Sequence, residues 1–329
     1  MWRYFIILSI LIKSKLAWAS IGDRSPYYQK CLDRCHLLNC TQDGKYFLGE
    51  YTQPLYLQWT FWYCLDECKY NCMWKTITTF HDLNLKTPQF YGKWPFIRFL
   101  GIQEPASMFF SLFNLYMHVK MLKIFQKRVR YDSPLYSIWI SFGLICCNAW
   151  FWSAVFHTRD FLLTEIFDYI FSFSIILVNF YVMMIRVLRF KLHQSILIFL
   201  TILILAFFLN HGLYLYKAHF DYAYNMKINI LVGTLAAICW FIWCFANRNN
   251  QPYVWKCALY VALTGLVLPL EIIDQPPLFY VFDFHAIWHL TTAPLVFLIY
   301  SFAIDDCRYL RKLHVEDLNF EGNQKSKFK

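Results

Sequence analysis

The stretch LYSIWISFGLICCNAWFWSAVFHTRDFLLTEIFDYIFSFSIILVNFYVMM, residues 135–184, decides the fold. It holds two apolar runs, each long enough to cross a hydrocarbon core as a helix, on either side of the polar turn HTRD. Ser153 and His157 close the first run one helical turn apart, and Asp168 lies about two turns into the second. Polar side chains of this kind are costly inside a bilayer and by default mark a site facing the bundle interior.

Working outward, apolar stretches recur near 97–119, 134–157, 162–184, 195–216, 228–246, 254–272 and 284–304. The reading is an all-α membrane protein, a bundle of seven transmembrane helices over residues 96–305. Composition agrees, with 58% hydrophobic and 16% charged residues, far from the soluble mix. A net charge of +10 invites a nucleic-acid partner, but no phosphate loop or basic helix supports one, and topology accounts for the charge better. Loops after the first, third and fifth stretches carry Lys120, Lys123, Lys127, Arg128, Arg130, Arg186, Arg189, Lys191, Arg248 and Lys256; the other three carry Arg159, Lys217 and Lys227. Positive-inside then places the N-terminal region in the lumen and a tail, 306–329, in the cytosol.

Residues 1–19 read as a signal peptide ending in Ala17-Trp18-Ala19, with an uncleaved anchor as the rival. Residues 20–95 form a polar, aromatic luminal domain with Cys31, Cys35, Cys40, Cys64, Cys68 and Cys72. In an oxidising compartment six cysteines imply three disulfides with fifteen pairings open; structural zinc is the less favoured use. Asn39-Cys40-Thr41 is a glycosylation sequon.

The last stretch opens on HAIWH, so His285 and His289 share a helix face at i,i+4. With the assigned topology, Ser153, His157, Asp168, His285 and His289 fall at one depth near the luminal surface. Three imidazoles with an open fourth position suit catalytic Zn2+, which makes His157, His285 and His289 the candidate ligands. Zinc brings the pKa of a bound water to roughly 7, Asp168 can serve as general base and acid, and Ser153 can donate to an oxyanion. Against this stand helix-packing roles for each histidine and serine, and an Asp168–Arg159 ion pair.

Other residues carry weaker readings. Gln103 and Glu104 are either supports of the site or a helix N-terminus that favours an acid. His211 and Asn210 are helix-packing hydrogen-bonders, Trp139, Trp150 and Trp152 lipid-facing or interfacial packing, and Cys146, Cys147, Cys239 and Cys244 inert fillers. Lys325 to Lys329 resembles a dilysine retrieval signal read by coat machinery, with a solvated basic tail as the alternative.

Ser-x-x-x-His in the second span, an aspartate in the third and His-x-x-x-His in the seventh resemble the membrane hydrolase superfamily of alkaline ceramidases, progestin and adipoQ receptors, and GPI-anchor remodelling factors. The cysteine-rich head, SAVFHTRD (153–160) and FDFHAIWH (282–289) are similar to the remodelling factors, from Cys31 to Tyr309. That resemblance implies a GPI-specific phospholipase A2-type hydrolase of the Golgi or endoplasmic reticulum membrane. Its substrates would be GPI-anchored proteins, whose lipid anchor loses the sn-2 acyl chain. A ceramidase-like amidase, and a receptor or assembly factor with structural zinc, are the alternatives.

Overall fold

The computed structural model describes residues 20–217 and 221–327; the signal-peptide reading lies outside them, as do the side chains from 317 onward and with them the C-terminal lysines. The chain is helical, and among the described residues β-structure is limited to isolated bridges. In order come α1 (Ile21–Arg24), α2 (Pro26–Asn39), α3 (Leu55–Trp59), α4 (Cys64–Asp82), α5 (Pro105–Arg128) and α6 (Tyr136–Thr158). They are followed by α7 (Leu162–Leu188), α8 (Gln194–Lys217), α9 (Tyr222–Asn247), a 3-10 turn (Pro252–Val254), α10 (Trp255–Ile272), α11 (Phe284–Thr292) and α12 (Leu295–Lys327).

Six helical segments are long and apolar enough to cross a membrane: Tyr136–Thr158, Leu162–Leu188, Gln194–Lys217, Tyr222–Asn247, Pro252–Ile272 and Phe284–Glu316. The expected first span differs. Residues 97–104 precede the helix, which begins at Pro105, a residue whose missing N–H suits the first helical position. Ser107, Ser111, Asn114 and His118 of α5 repeat at helical spacing and are all buried. This polar inner face is why α5 falls short of the apolarity of the other six. The last expected span divides at Pro294, which cannot supply the N–H that would carry α11 into α12.

Two compact units emerge, with cuts that fall within α5, α6, α7 and α11. The first comprises residues 20–108, 155–164 and 273–287. Its disulfides are Cys31–Cys72, Cys35–Cys68 and Cys40–Cys64. Cys31 and Cys35 lie one turn apart on α2, Cys68 and Cys72 one turn apart on α4, so the two faces match when the helices run antiparallel. All six sulfurs are thereby engaged. A single bridge closing a loop of this length contributes on the order of 3–4 kcal/mol by restricting the unfolded chain. Trp62 lies between two guanidinium groups, Arg98 at 4.2 Å and Arg159 at 3.9 Å from the ring centre. Arg98 pairs with Glu67, and Arg159 with Asp66 at 2.8 Å. Arg159 is thus paired with Asp66 of the head.

The second unit comprises Phe109–Ala154, Glu165–Ile272 and the chain from Trp288 onward. Trp139, Phe142, Trp240, Tyr300 and Phe302 are almost fully buried in its core. Trp139 and Trp150 are interior, a correction to the lipid-facing reading: their faces of α6 pack on other helices. His211 is buried with Nε2 3.2 Å from Asn225 Oδ1, a helix-to-helix hydrogen bond, whereas Asn210 is exposed.

An ion pair inside this unit carries a stability prediction. Arg186 Nε donates to both oxygens of Asp306 at 2.9 and 2.7 Å, Arg186 Nη2 donates to Gln251, and the Tyr253 hydroxyl donates to Asp306 at 2.8 Å. Asp306 is 0% exposed and Arg186 7%. Removing one partner leaves an uncompensated buried charge, so Asp306→Ala is expected to lose about 3–5 kcal/mol of stability. Denaturant unfolding in detergent reads this out, and a loss under about 0.5 kcal/mol, typical of surface changes, would contradict it.

Candidate metal centre

In the first unit the site is built by a strap. Gln103 N–H donates to Thr158 O and Glu104 N–H to His157 O, both at 3.0 Å, which ties residues 103–104 to the end of α6. Gln103 Oε1 accepts from the backbone N–H of Asp160 at 3.3 Å and from Arg159 at 3.4 Å. Glu104 is so placed that His157 Nδ1–H donates to its Oε2 at 2.6 Å. Burial favours the neutral carboxyl of Glu104, but the hydrogen bond and charge of His157, with Lys93 and His285 nearby, outweigh it and hold the carboxyl below its usual range.

His157 Nε2 lies 3.3 Å from His285 Nε2. Tetrahedral zinc with Zn–N bonds of about 2.0–2.1 Å holds two ligand nitrogens about 3.3–3.4 Å apart, so the two imidazoles are spaced as zinc ligands are. A carboxylate on the far nitrogen of one of them is the usual outer partner of a metal-bound histidine. Asp283 caps α11, accepting from Ala286 N–H at 2.8 Å, and so fixes the helix that carries His285. Burial pushes the Asp283 carboxyl up, against the opposing charge of His285.

In the second unit the neighbours are hydroxyls. Ser111 Oγ is 3.2 Å from Ser153 Oγ and 3.2 Å from His289 Nδ1, while Asn114 Nδ2 donates to the backbone oxygen of His289 at 2.7 Å. With Nδ1 held by Ser111, Nε2 is the nitrogen that His289 can offer a ligand. Trp150 packs edge-on against its ring at 5.1 Å. Asp168 is buried on α7, six residues after Leu162.

Of the five expected residues, His157 and His285 form one pair, Ser153 and His289 form another through Ser111, and Asp168 is buried on α7. Each of two unbroken helices carries one member of each group: α6 has Ser153 and His157, α11 has His285 and His289, in both cases one turn apart. Ser111 and Asn114 were missed by the sequence reading. Their signal was the buried polar face of α5 with its repeat of three and four residues, which a search for histidines and carboxylates passes over.

The Asn39 sequon ends α2 at an exposed residue. Thr41 Oγ1 is hydrogen-bonded to Asp43 at 2.6 Å, and Cys40 lies in its disulfide with Cys64.

Known proteins are similar in sequence along nearly the whole chain. The chain is 42% identical over 301 residues to "Post-GPI attachment to proteins factor 3" of Drosophila melanogaster, covering 90% of this chain and 91% of that protein. It is 42% identical to "GPI-specific phospholipase A2-like PGAP3" of Danio rerio (93% and 96%) and 40% identical to the Homo sapiens protein of that name (90% and 92%). No solved structure matches. Residues 54–307 match the Per1-like family, spanning both histidine motifs and the head from residue 54 onward, and the chain belongs to that family.

Proposed function

We propose that this protein is a zinc-dependent phospholipase A2-type hydrolase that removes the sn-2 acyl chain from the lipid of GPI-anchored proteins. The observation that carries the reading is the Glu104–His157–His285 chain, a carboxylate-oriented pair of imidazoles at ligand spacing, with His289 one turn from His285 on α11. The names of the 40–42% identical relatives supply the substrate. Membership of the wider superfamily of ceramidases and adipoQ receptors belongs to the same proposal.

His157, His285 and His289 would each offer the metal one ring nitrogen. Bound zinc supplies a Lewis acid that lets a coordinated water ionise near neutral pH. Asp168 takes a proton from the attacking water and returns it to the sn-2 oxygen as the acyl carbon–oxygen bond breaks, giving a free fatty acid and a lyso-lipid. Ser153 donates to the developing oxyanion, with its hydroxyl oriented by Ser111. Glu104 holds the His157 ring in place. Glu104→Gln is therefore expected to weaken zinc affinity about 10–100-fold while the protein still folds, as read by competition with a calibrated chelator; unchanged affinity would remove Glu104 from the site.

The proposed topology has α5 as a seventh crossing, the head and the site on the luminal side, the C-terminus in the cytosol, and residence in the Golgi or endoplasmic reticulum. Asn39 glycosylation, signal cleavage and retrieval through the C-terminal lysines complete it. Sidedness is tested by impermeant maleimide on intact vesicles. Cysteine at exposed Tyr131 is expected to react from outside, and cysteine at exposed Gln275, in the loop before α11, only after the vesicle is opened. The six native free cysteines are buried or half-buried and give little background. The reverse pattern would put the site in the wrong leaflet for GPI lipids. Acyl release from a defined GPI-anchored protein by the purified chain tests the reaction itself; no release with zinc bound would leave a structural metal.

A further inference from the structure

The head carries apolar residues where a water-facing domain has no use for them. The turn Phe99-Leu100-Gly101-Ile102 packs on the segment after α3: Trp62 Nε1–H donates to Gly101 O at 2.8 Å. A Cβ at Gly101, where φ is +83°, would lie 2.3 Å from Thr60 Oγ1, so glycine is what permits this approach. At the tips of the two segments, Leu100 has φ +48° and Phe61 φ +54°. Residues with a Cβ avoid this left-handed region, because the Cβ crowds the following carbonyl oxygen. Both side chains are nonetheless 57% exposed, so in water no burial offsets that strain.

Beside them, Leu55 and Trp59 share one face of α3 at i,i+4, and Trp59 is 75% exposed. Phe61 meets Phe161 at 6.3 Å between ring centres, and Phe161 leads into Leu162, 67% exposed, the first residue of α7. The patch is backed by Arg159, whose guanidinium stacks on both Trp62 and Phe161 at 3.9 and 4.8 Å while paired with Asp66. It is therefore a fixed surface. Through Phe61 and Phe161 the patch adjoins Leu162, where a helix long and apolar enough to cross a membrane, Leu162–Leu188, begins.

From this continuity we infer that the cysteine-rich head rests on the bilayer, with Trp59, Phe61 and Leu100 seated in the lipid interface beside the start of α7. Aromatic and aliphatic side chains that border a span belong at headgroup level, where the ring has an apolar body to bury. An exposed apolar patch of this kind marks an interaction surface, and its junction with a span makes lipid the occupant.

The experiment uses the full chain in phosphatidylcholine nanodiscs, with an environment-sensitive nitrobenzoxadiazole fluorophore on a cysteine introduced at Trp59 or Leu100. Gln42→Cys, in the exposed polar loop of the head, is the control. The expected result at Trp59 and Leu100 is emission shifted to shorter wavelength and lost to phospholipids spin-labelled near the headgroup, with neither change at Gln42. Leu55→Cys reports from the same face should Trp59→Cys fail to fold. Water-like, unquenched emission at these positions overturns the inference. Emission shielded from water yet unquenched by lipid overturns it in favour of a protein surface, a partner or a second copy.

Discussion

Purified His289→Ala is expected to lose most of a zinc content of about one per chain, and acyl release with it. In the proposed site three protein ligands would leave little redundancy: deleting one imidazole would remove a third of the protein's hold. Ser111 would remain to hydrogen-bond whatever water replaces the ring, but a serine hydroxyl is not a ligand of comparable strength. A bound metal supplies several kcal/mol of transition-state stabilisation, and about 1.4 kcal/mol corresponds to tenfold in rate. The release rate should accordingly fall at least about 10³-fold. His285→Ala should behave alike, because its Nε2 faces His157. Elemental analysis of the detergent-purified variants decides the matter, with circular dichroism to verify that the helices persist. Full zinc occupancy in both would refute the three-histidine assignment.

Asp168→Asn separates chemistry from metal binding. The amide keeps the shape of the carboxylate at a buried position of α7 but cannot accept a proton. Zinc content should stay at the wild-type level while acyl release drops by about 10²–10⁴, the usual contribution of a general acid–base group. Ser153→Ala, with zinc also retained, should lose about 10²–10³, the cost of removing one oxyanion donor. Release at the wild-type rate by Asp168→Asn would exclude it as the base. An acyl group trapped on Ser153 in the wild type would instead make the serine the nucleophile.

Much of this protein follows from local sequence alone, because a helix sets the spacing of its own side chains. The polar turn HTRD ends α6 at Thr158, and the i,i+4 pairs Ser153/His157 and His285/His289 face one way on their helices whatever packs around them. Length and apolarity likewise specify the membrane-crossing helices, since every backbone group in lipid must be satisfied within the segment. Where a helix bore a polar inner face, as α5 does at Ser107, Ser111, Asn114 and His118, a hydropathy reading shifted its start by several residues.

Only tertiary structure decided what depends on two distant segments meeting. Fifteen disulfide pairings are equal in a list of cysteines; the antiparallel faces of α2 and α4 select Cys31–Cys72 and Cys35–Cys68, leaving Cys40 to Cys64. Glu104 is 53 positions from His157, and two backbone hydrogen bonds at the end of α6 bring it there. Trp139 and Trp150 look the same in sequence as lipid-facing tryptophans, since a helix apolar on every side does not disclose which face meets protein. Local periodicity fixes directions within one helix; contacts between helices depend on which faces pack, and that is set by the whole chain.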